Sequence, residues 1–173
     1  MILFLICLIL AFSSSTTSIK KGFAQNDGRG PYSTRISDLN VNWFYTWNNT
    51  YPKFVPKGAN WTAMVWGKKS VSDKIIKSLY ALGQKGTIKE LLGFNEPDNK
   101  KQSSMTVEEA IALWPQLMKT KLRLGSPAVA GDYEWLAKFM KAAKEKNYTV
   151  DFMYVLTSNL VQCIGMVLQT PAP

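Results

Sequence analysis

Large apolar residues recur along the middle of the chain with two different spacings. In residues 41–47 they fall on every second position, with Asn42 and Thr46 between them, which is the period-2 pattern of a strand. Residues 72–82 and 106–118 carry apolar side chains at helical spacing instead, and each segment begins with Ser or Thr in a helix-capping position. The chain therefore predicts an alternation of strands and helices.

The whole pattern predicts five strands and three helices. The strands are expected at residues 41–47, 61–67, 88–95, 122–129 and 149–156, and the helices at residues 72–82, 106–118 and 132–143. This order, β-β-α-β-α-β-α-β, predicts an α/β fold with a parallel sheet and crossover helices. We interpret residues 22–38 as an extended lead-in, residues 39–157 as the core unit and residues 158–173 as an atypical tail.

The first segment has the pattern of a targeting signal. Residues 2–12 are all apolar, and a Ser- and Thr-rich stretch follows them. A bilayer span needs about 20 apolar residues, whereas the apolar region of a signal peptide needs about 7–15. We therefore expect a signal peptide over residues 1–18, with a boundary as late as residue 24, and no stable membrane span. An uncleaved signal anchor and a buried core helix are the alternatives.

Three sequence motifs agree with export. Asn48, Asn60 and Asn147 each begin an Asn-x-Thr sequon, the acceptor pattern for N-linked glycosylation. Each motif alone arises often by chance, but together with a signal peptide they favour a eukaryotic secretory route. We expect a secreted glycoprotein, located outside the cell or attached to the cell wall.

Composition excludes several kinds of chemistry. The 173 residues include no His, which removes Ser-His-Asp and Cys-His catalysis and the usual His-bearing zinc sites. Cys7 would leave with the signal, so Cys163 would be unpaired. No metal and no cofactor are expected.

The net charge of the chain is +9. It comes from Lys residues that are scattered along the helices, as on a solvated surface, so binding to acidic glycans or membranes is a weaker alternative. Nucleic acid is not expected as a partner of a secreted protein.

Aromatic and polar residues follow the predicted strands. Functional side chains of parallel α/β folds gather at the carboxyl ends of the strands. Trp47, Trp66 and the pair Asn95-Glu96 occur there. This composition is typical of a sugar cleft, because indole rings stack on pyranose rings while Asn and Glu bond the hydroxyl groups. Core packing is the competing explanation for each of the six Trp residues.

Several motifs occur together in a recognisable order. They read GFNEPD at 93–98, QSSM at 102–105, EEAIALWP at 108–115 and LGSPAVA at 124–130. This series resembles the catalytic core of the fungal-type glycoside hydrolase family 128. The upstream motifs WFYTW at 43–47 and MVWG at 64–67, and VDF at 150–152, fit the same family. The resemblance covers roughly residues 41–155, and its motifs in order are far more specific than any one of them.

The resemblance implies a (β/α)8 TIM-type barrel and a retaining endo-hydrolase whose partner is β-1,3-glucan. It implies that Glu96 is the general acid/base and that Asn95 contacts the sugar. By the same resemblance, Asp98 and Gln102 would line or support the cleft. Its aromatic walls would be Trp43, Tyr45, Trp47 and Trp66.

The same resemblance identifies no second catalytic carboxylate in this sequence. A retaining glycosidase needs a nucleophile about 5–5.5 Å from its acid/base. The family carries it on a late strand, whereas this sequence has about five of the eight strands of such a barrel. It also departs from the family's Val-His-Trp-Tyr pattern at residues 151–155. We read Glu134 as a residue that complements a helix dipole, and Asp98 as too near Glu96.

We therefore expect an incomplete barrel with little or no hydrolytic activity. An incomplete gene model or a frame change near Val155 would explain both the departure and the unusual tail. The alternative function is a secreted protein that binds glucan without cleaving it.

Overall fold

The computed structural model describes residues 22–25 and 36–154. Six short strands are formed: β1 Gly22–Ala24, β2 Trp43–Tyr45, β3 Asn60–Trp61, β4 Ala63–Met64, β5 Glu90–Leu92 and β6 Arg123–Leu124. Three α-helices lie wholly within the described residues: α1 Asp73–Gln84, α2 Val107–Met118 and α3 Tyr133–Glu145. A 3-10 turn, Lys68–Ser70, follows β4. The three predicted helices are confirmed to within about two residues at each end, which is the ordinary uncertainty of helix boundaries.

Every pairing among these strands is parallel, and neighbouring strands are consecutive in the chain. One sheet has the order β1-β2-β3 and the other the order β4-β5-β6. Thr62 alone separates β3 from β4, and its N–H donates to the Phe44 carbonyl at 2.8 Å, so one stretch of chain serves both sheets. A single parallel bridge pairs Gly125 with Phe152 beyond β6. The predicted α/β fold with parallel strands and crossover helices is therefore confirmed.

Three parts of this arrangement differ from the sequence pattern. The strand predicted at 61–67 is divided into β3 and β4, which belong to different sheets. β1 lies within the stretch interpreted as an extended lead-in, and Gly22 pairs in register with Trp43 of β2. Its residues show no alternation of apolar and polar positions, so the pattern did not predict a strand there. The strand predicted at 149–156 is represented, as far as residue 154, by the bridge at Phe152. The predicted signal peptide and tail lie outside the described residues.

Side chains begin each helix in the way the sequence indicates. The Ser72 hydroxyl accepts a hydrogen bond from the Ile75 N–H, and Asp132 accepts one from the Trp135 N–H. Thr106 and Glu109 form a reciprocal capping box at the start of α2. Such caps satisfy backbone donors that the first helical turn leaves open. The described helices include none that is long and apolar enough to cross a bilayer.

The apolar side chains separate into two layers on the two faces of the strands. We call the larger layer, between the strands and the helices, the outer core; it includes Phe44, Leu91, Trp114 and Phe139. We call the smaller layer the inner cluster, which consists of Tyr45, Met64, Leu92, Ala128, Phe152 and Tyr154. Successive residues of a strand point to opposite faces, which is why Phe44 and Tyr45 lie in different layers.

Candidate functional site

An open cleft of about 510 Å³ lies at the carboxyl ends of the strands. Its lining consists of Thr46, Trp47, Asn48, Trp66, Asn95, Glu96 and Gln102. The residues come from three different strand ends, after β2, β4 and β5. The parallel arrangement brings these strand ends together, because all strands present their carboxyl ends to the same side. The cleft therefore gathers residues that are up to 56 positions apart in the sequence.

Close packing of the backbone fixes the segment that carries the acidic residue. A Cβ at Gly93 would lie 2.9 Å from the Gly125 carbonyl oxygen and 3.0 Å from the Pro127 nitrogen, so only glycine fits there without a shift. Asn95 then forms a parallel bridge with Ala128, and the Glu96 N–H donates to the Ala128 carbonyl at 2.7 Å. The GFNE segment is thus held against the chain that follows β6.

Glu96 has an unusual backbone and a defined side-chain partner. Its φ angle is +41°, a left-handed value that is uncommon outside glycine and is often found at functional sites. The Asn99 amide donates a hydrogen bond of 2.9 Å to Oε2 of Glu96. Within the described residues, Oε1 of the same carboxylate has no hydrogen-bond partner from the protein. The half-buried side chain is therefore oriented through one oxygen and lines the cleft with the other available for a ligand.

Asn95 lies beside Glu96 and is almost completely buried, with 3% of its surface exposed. Its amide nitrogen donates to Oε1 of Gln102 at 3.4 Å. Its amide oxygen, although buried, has no hydrogen-bond partner in the described part of the chain. A buried acceptor without a partner costs about 1–3 kcal/mol. Asn95 is also one of the residues that line the cleft.

Asp98 does not line the cleft but ties two loops together. Its carboxylate accepts backbone N–H bonds of 2.8–3.1 Å from Ala130, Gly131 and Asp132. These residues connect β6 to α3, where Asp132 caps the helix. Of the two roles expected for Asp98, lining or supporting the cleft, its contacts correspond to support.

The four candidate aromatic walls occupy different positions. Trp47 and Trp66 are half-buried and line the cleft. Tyr45 is fully buried beneath them, and its ring lies 4.9 Å from the Trp47 ring and 6.2 Å from the Trp43 ring. Trp43 lines a separate cavity of about 300 Å³ at the amino ends of the strands. The structure therefore brings two of the four to Glu96.

Other carboxylates that the sequence offers are engaged elsewhere. Glu90 pairs with Arg123 at 2.6 Å at the amino end of β5, and Glu134 pairs with Lys138 at 2.9 Å on α3. Asp151 accepts the Leu124 N–H at 2.7 Å. Among the residues that line the cleft in the described structure, Glu96 is the single carboxylate. No group of three metal-binding side chains comes together within residues 22–25 and 36–154.

The shifted pKa values belong to the exposed helix starts. A hydrogen bond from Lys68, followed by one from the Thr106 backbone, holds the pKa of Glu109 below its ordinary value. The hydrogen bond that the Lys138 ammonium donates to the Glu134 carboxylate raises the pKa of Lys138. Lys138 is exposed, Glu109 is partly exposed and neither lines the cleft, so we assign them to the capping and surface of α2 and α3 and not to the chemistry of the cleft.

Sequence reasoning missed two contributors to this site. Asn99 was not singled out, although its position three residues after Glu96 in a loop was the available signal. The left-handed backbone of Trp47 and Glu96, with φ angles of +54° and +41°, has no signal in the residue types, since neither is glycine or asparagine.

Comparison with known proteins gives one family. The model of the family described as glycosyl hydrolase catalytic core matches residues 22–166. No curated protein gave a significant match.

Solved structures resemble this fold over most of its length. A family 128 (subgroup I) endo-β-1,3-glucanase from Amycolatopsis mediterranei, crystallised with laminaritriose, has a TM-score of 0.70 and 37% identity, covering 79% of this chain and 56% of that one. A family 128 (subgroup III) curdlan-specific exo-β-1,3-glucanase from Blastomyces gilchristii, in complex with glucose, has a TM-score of 0.63 and 28% identity, covering 79% and 60%. The chain thus spans somewhat more than half the length of these glucanases.

Proposed function

This chain belongs to glycoside hydrolase family 128, and from that membership we propose that its cleft binds β-1,3-glucan. The observation that carries the proposal is the convergence of Glu96, Asn95, Trp47 and Trp66 on one open space at the carboxyl ends of parallel strands. Similar glucanases were crystallised with laminaritriose and laminaripentaose, which supports an oligoglucoside as the occupant here.

The chemistry of the lining suits a sugar. Two half-buried indole rings offer flat apolar faces, which match the C–H faces of pyranose rings. Asn95 and the hydrogen-bonded Gln102 add two amide groups to this lining, which suit the hydroxyl groups of a sugar. Apolar walls with a few placed polar groups are the usual composition of a small-molecule site.

Glu96 is the proposed general acid/base. In its protonated form it donates a proton to the glycosidic oxygen as the bond between that oxygen and the anomeric carbon breaks. The Asn99 amide is a donor and occupies Oε2, so the proton that is transferred belongs on Oε1. Asn99 thereby orients the carboxyl group without competing for its proton.

Retaining hydrolysis also requires a nucleophile, and the cleft lining of the described residues includes no second carboxylate. We therefore propose that the 173-residue chain binds glucan and hydrolyses it little or not at all.

We further propose that the consecutive parallel strands are part of a (β/α)8 barrel, five strands of which are recognisable in the sequence. Non-catalytic binding of glucan is the second candidate function, favoured by the same single carboxylate.

We also propose that the protein is secreted and glycosylated, outside the cell or at the cell wall. The apolar run at residues 2–12 supports a signal peptide. The Asn residues of all three sequons are exposed on the surface, which is where a glycan can be carried.

Calorimetric titration with laminarihexaose, together with a reducing-sugar assay, tests the proposal. We expect saturable binding by the 173-residue chain and by Glu96→Gln, because Gln keeps the size and polarity of the side chain. We expect the two proteins to release equal, background amounts of reducing sugar. Cellohexaose, a β-1,4-linked oligomer of the same length, is the control ligand.

Each result has a definite meaning. Absence of laminarihexaose binding would overturn the proposed function. Release of reducing sugar that Glu96→Gln abolishes would confirm Glu96 as the acid/base and overturn the proposed inactivity. Binding without such release supports the proposal.

A further inference from the structure

The three sequons are equivalent in sequence but not in position. Asn60 begins β3 and lines the cavity at the amino ends of the strands, where its amide donates to the Asn42 carbonyl at 3.2 Å. Asn147 is exposed just after the end of α3. Asn48 alone among the three lines the cleft that contains Glu96.

Asn48 is also held in place at the edge of this cleft. Its side-chain oxygen accepts the backbone N–H bonds of Asn49 and Thr50, at 2.8 and 3.2 Å, which forms a tight turn. Its carbonyl accepts the N–H of Met64 in β4, at 2.8 Å. The attachment point is therefore fixed to two neighbouring strand ends, and a glycan on it would begin next to Trp47.

We propose that an N-linked glycan at Asn48 closes the cleft, so that occupancy of this one sequon sets the fraction of the protein that binds glucan. The inference rests on the proposed function and on the proposed secretory route. Two physical effects act together. A branched glycan is bulky compared with an open space of about 510 Å³. Its sugars are also tethered beside Trp47, so they compete with free glucan at the high effective concentration of an attached ligand.

The chain offers a matched pair of variants. Thr50→Val destroys the sequon at Asn48 but keeps the Asn48 side chain and the backbone N–H of residue 50, and Thr50 does not line the cleft. Thr149→Val destroys the sequon at Asn147 in the same way, and neither Asn147 nor Thr149 lines the cleft. Thr50→Ala is a second variant with the same effect on the sequon. Circular dichroism verifies that each variant is folded.

The full-length chain and these variants are produced in a glycosylating eukaryotic secretory host. Peptide mass spectrometry measures occupancy at Asn48, and calorimetry with laminarihexaose measures the binding-competent fraction. We expect that fraction to equal the unoccupied fraction of Asn48 in the unmodified chain and in Thr149→Val. Full stoichiometry is expected in Thr50→Val and Thr50→Ala. Glycosylated molecules should bind at least about tenfold more weakly, which is about 1.4 kcal/mol.

The results separate this inference from the proposed function. An unmodified Asn48, or equal binding by glycosylated chain and Thr50→Val, would overturn the inference and leave glucan binding intact. If no form binds laminarihexaose, including Thr50→Val without a glycan at Asn48, both fail. The inference is supported if the fraction that binds falls as Asn48 occupancy rises and does not change with the occupancy of Asn147.

Discussion

The six Trp residues divide into two groups of three with different surroundings. Trp61, Trp114 and Trp135 lie in the outer core, at most 8% exposed, and each indole N–H is hydrogen-bonded: to Thr46, Thr149 and Met105 respectively. Trp43, Trp47 and Trp66 are half-buried around the inner cluster. Within the described residues, none of these three donates its indole N–H to a protein acceptor. The N–H groups of the first group are satisfied by the protein. In the second group, Trp47 and Trp66 line the cleft, whereas Trp43 stacks on Tyr45 and lines the separate cavity.

Trp content alone therefore does not identify a sugar site. A buried indole normally needs a partner for its N–H, so a large Trp with a partner is explained by packing. A half-buried Trp without one, beside a carboxylate in a cleft, is explained better by a ligand. Substitutions in each group, and in the loops around the cleft, test this distinction.

The largest effect is expected for Trp114→Ala in the outer core. Trp114 is completely buried, and its ring lies 5.0 Å from Phe139 and 5.9 Å from Phe94. Removing so large a buried side chain leaves a cavity and should lower the free energy of unfolding by about 3–5 kcal/mol. Denaturant unfolding measures it. Trp114→Phe is the milder control, and its free energy of unfolding should fall far less. A decrease below about 1 kcal/mol for Trp114→Ala would contradict the assignment of this Trp to the core.

A smaller effect is expected for Asp98→Ala, which tests the loops that surround the cleft. The carboxylate holds three backbone N–H groups, and hydrogen bonds to charged groups contribute about 1.5–3 kcal/mol each. At a half-buried site water replaces some of the hydrogen bonds that are lost, so we expect the free energy of unfolding to fall by about 2 kcal/mol. Laminarihexaose affinity should fall less than for cleft substitutions.

Asp98→Asn is the matched control, because it keeps one acceptor oxygen and the size of the side chain. Its unfolding free energy should lie between those of the unmodified chain and Asp98→Ala. If Asp98→Ala instead removed glucan binding at full stability, Asp98 would be a ligand-contacting residue and not a support.

The smallest effect on stability is expected for Trp47→Ala, whose main effect should be on binding. Trp47 lines the cleft and is half-buried, so the unfolding free energy should change by about 1 kcal/mol or less. Laminarihexaose should bind about tenfold more weakly, since a stacking face is lost. Trp47→Phe keeps a flat ring and should retain more of the affinity. Unchanged affinity in Trp47→Ala would place this Trp with the packing group.

Much of the fold followed from local patterns. Helices α1, α2 and α3 were predictable because Ser72, Thr106 and Asp132 carry capping signals that act within a few residues. β1 was not predictable, since three residues without alternation become a strand only through their pairing with β2. The motif GFNEPD located Glu96 at a strand end, but its orienting partner Asn99 became visible only in the folded loop.

Local sequence patterns were enough to establish the three helices, the family and the position of Glu96 after β5, because these depend on residues a few positions apart. Only the tertiary structure decided which Trp residues face the cleft, that Asp98 supports a loop, and that Asn48 is the one sequon at the site. These assignments depend on which strand ends meet and which face each side chain takes. Because side chains alternate along a strand, adjacent residues such as Phe44 and Tyr45 point into opposite layers. The helices cover the layer that contains Phe44, the outer core, and leave the layer that contains Tyr45, the inner cluster, on the other face of the strands.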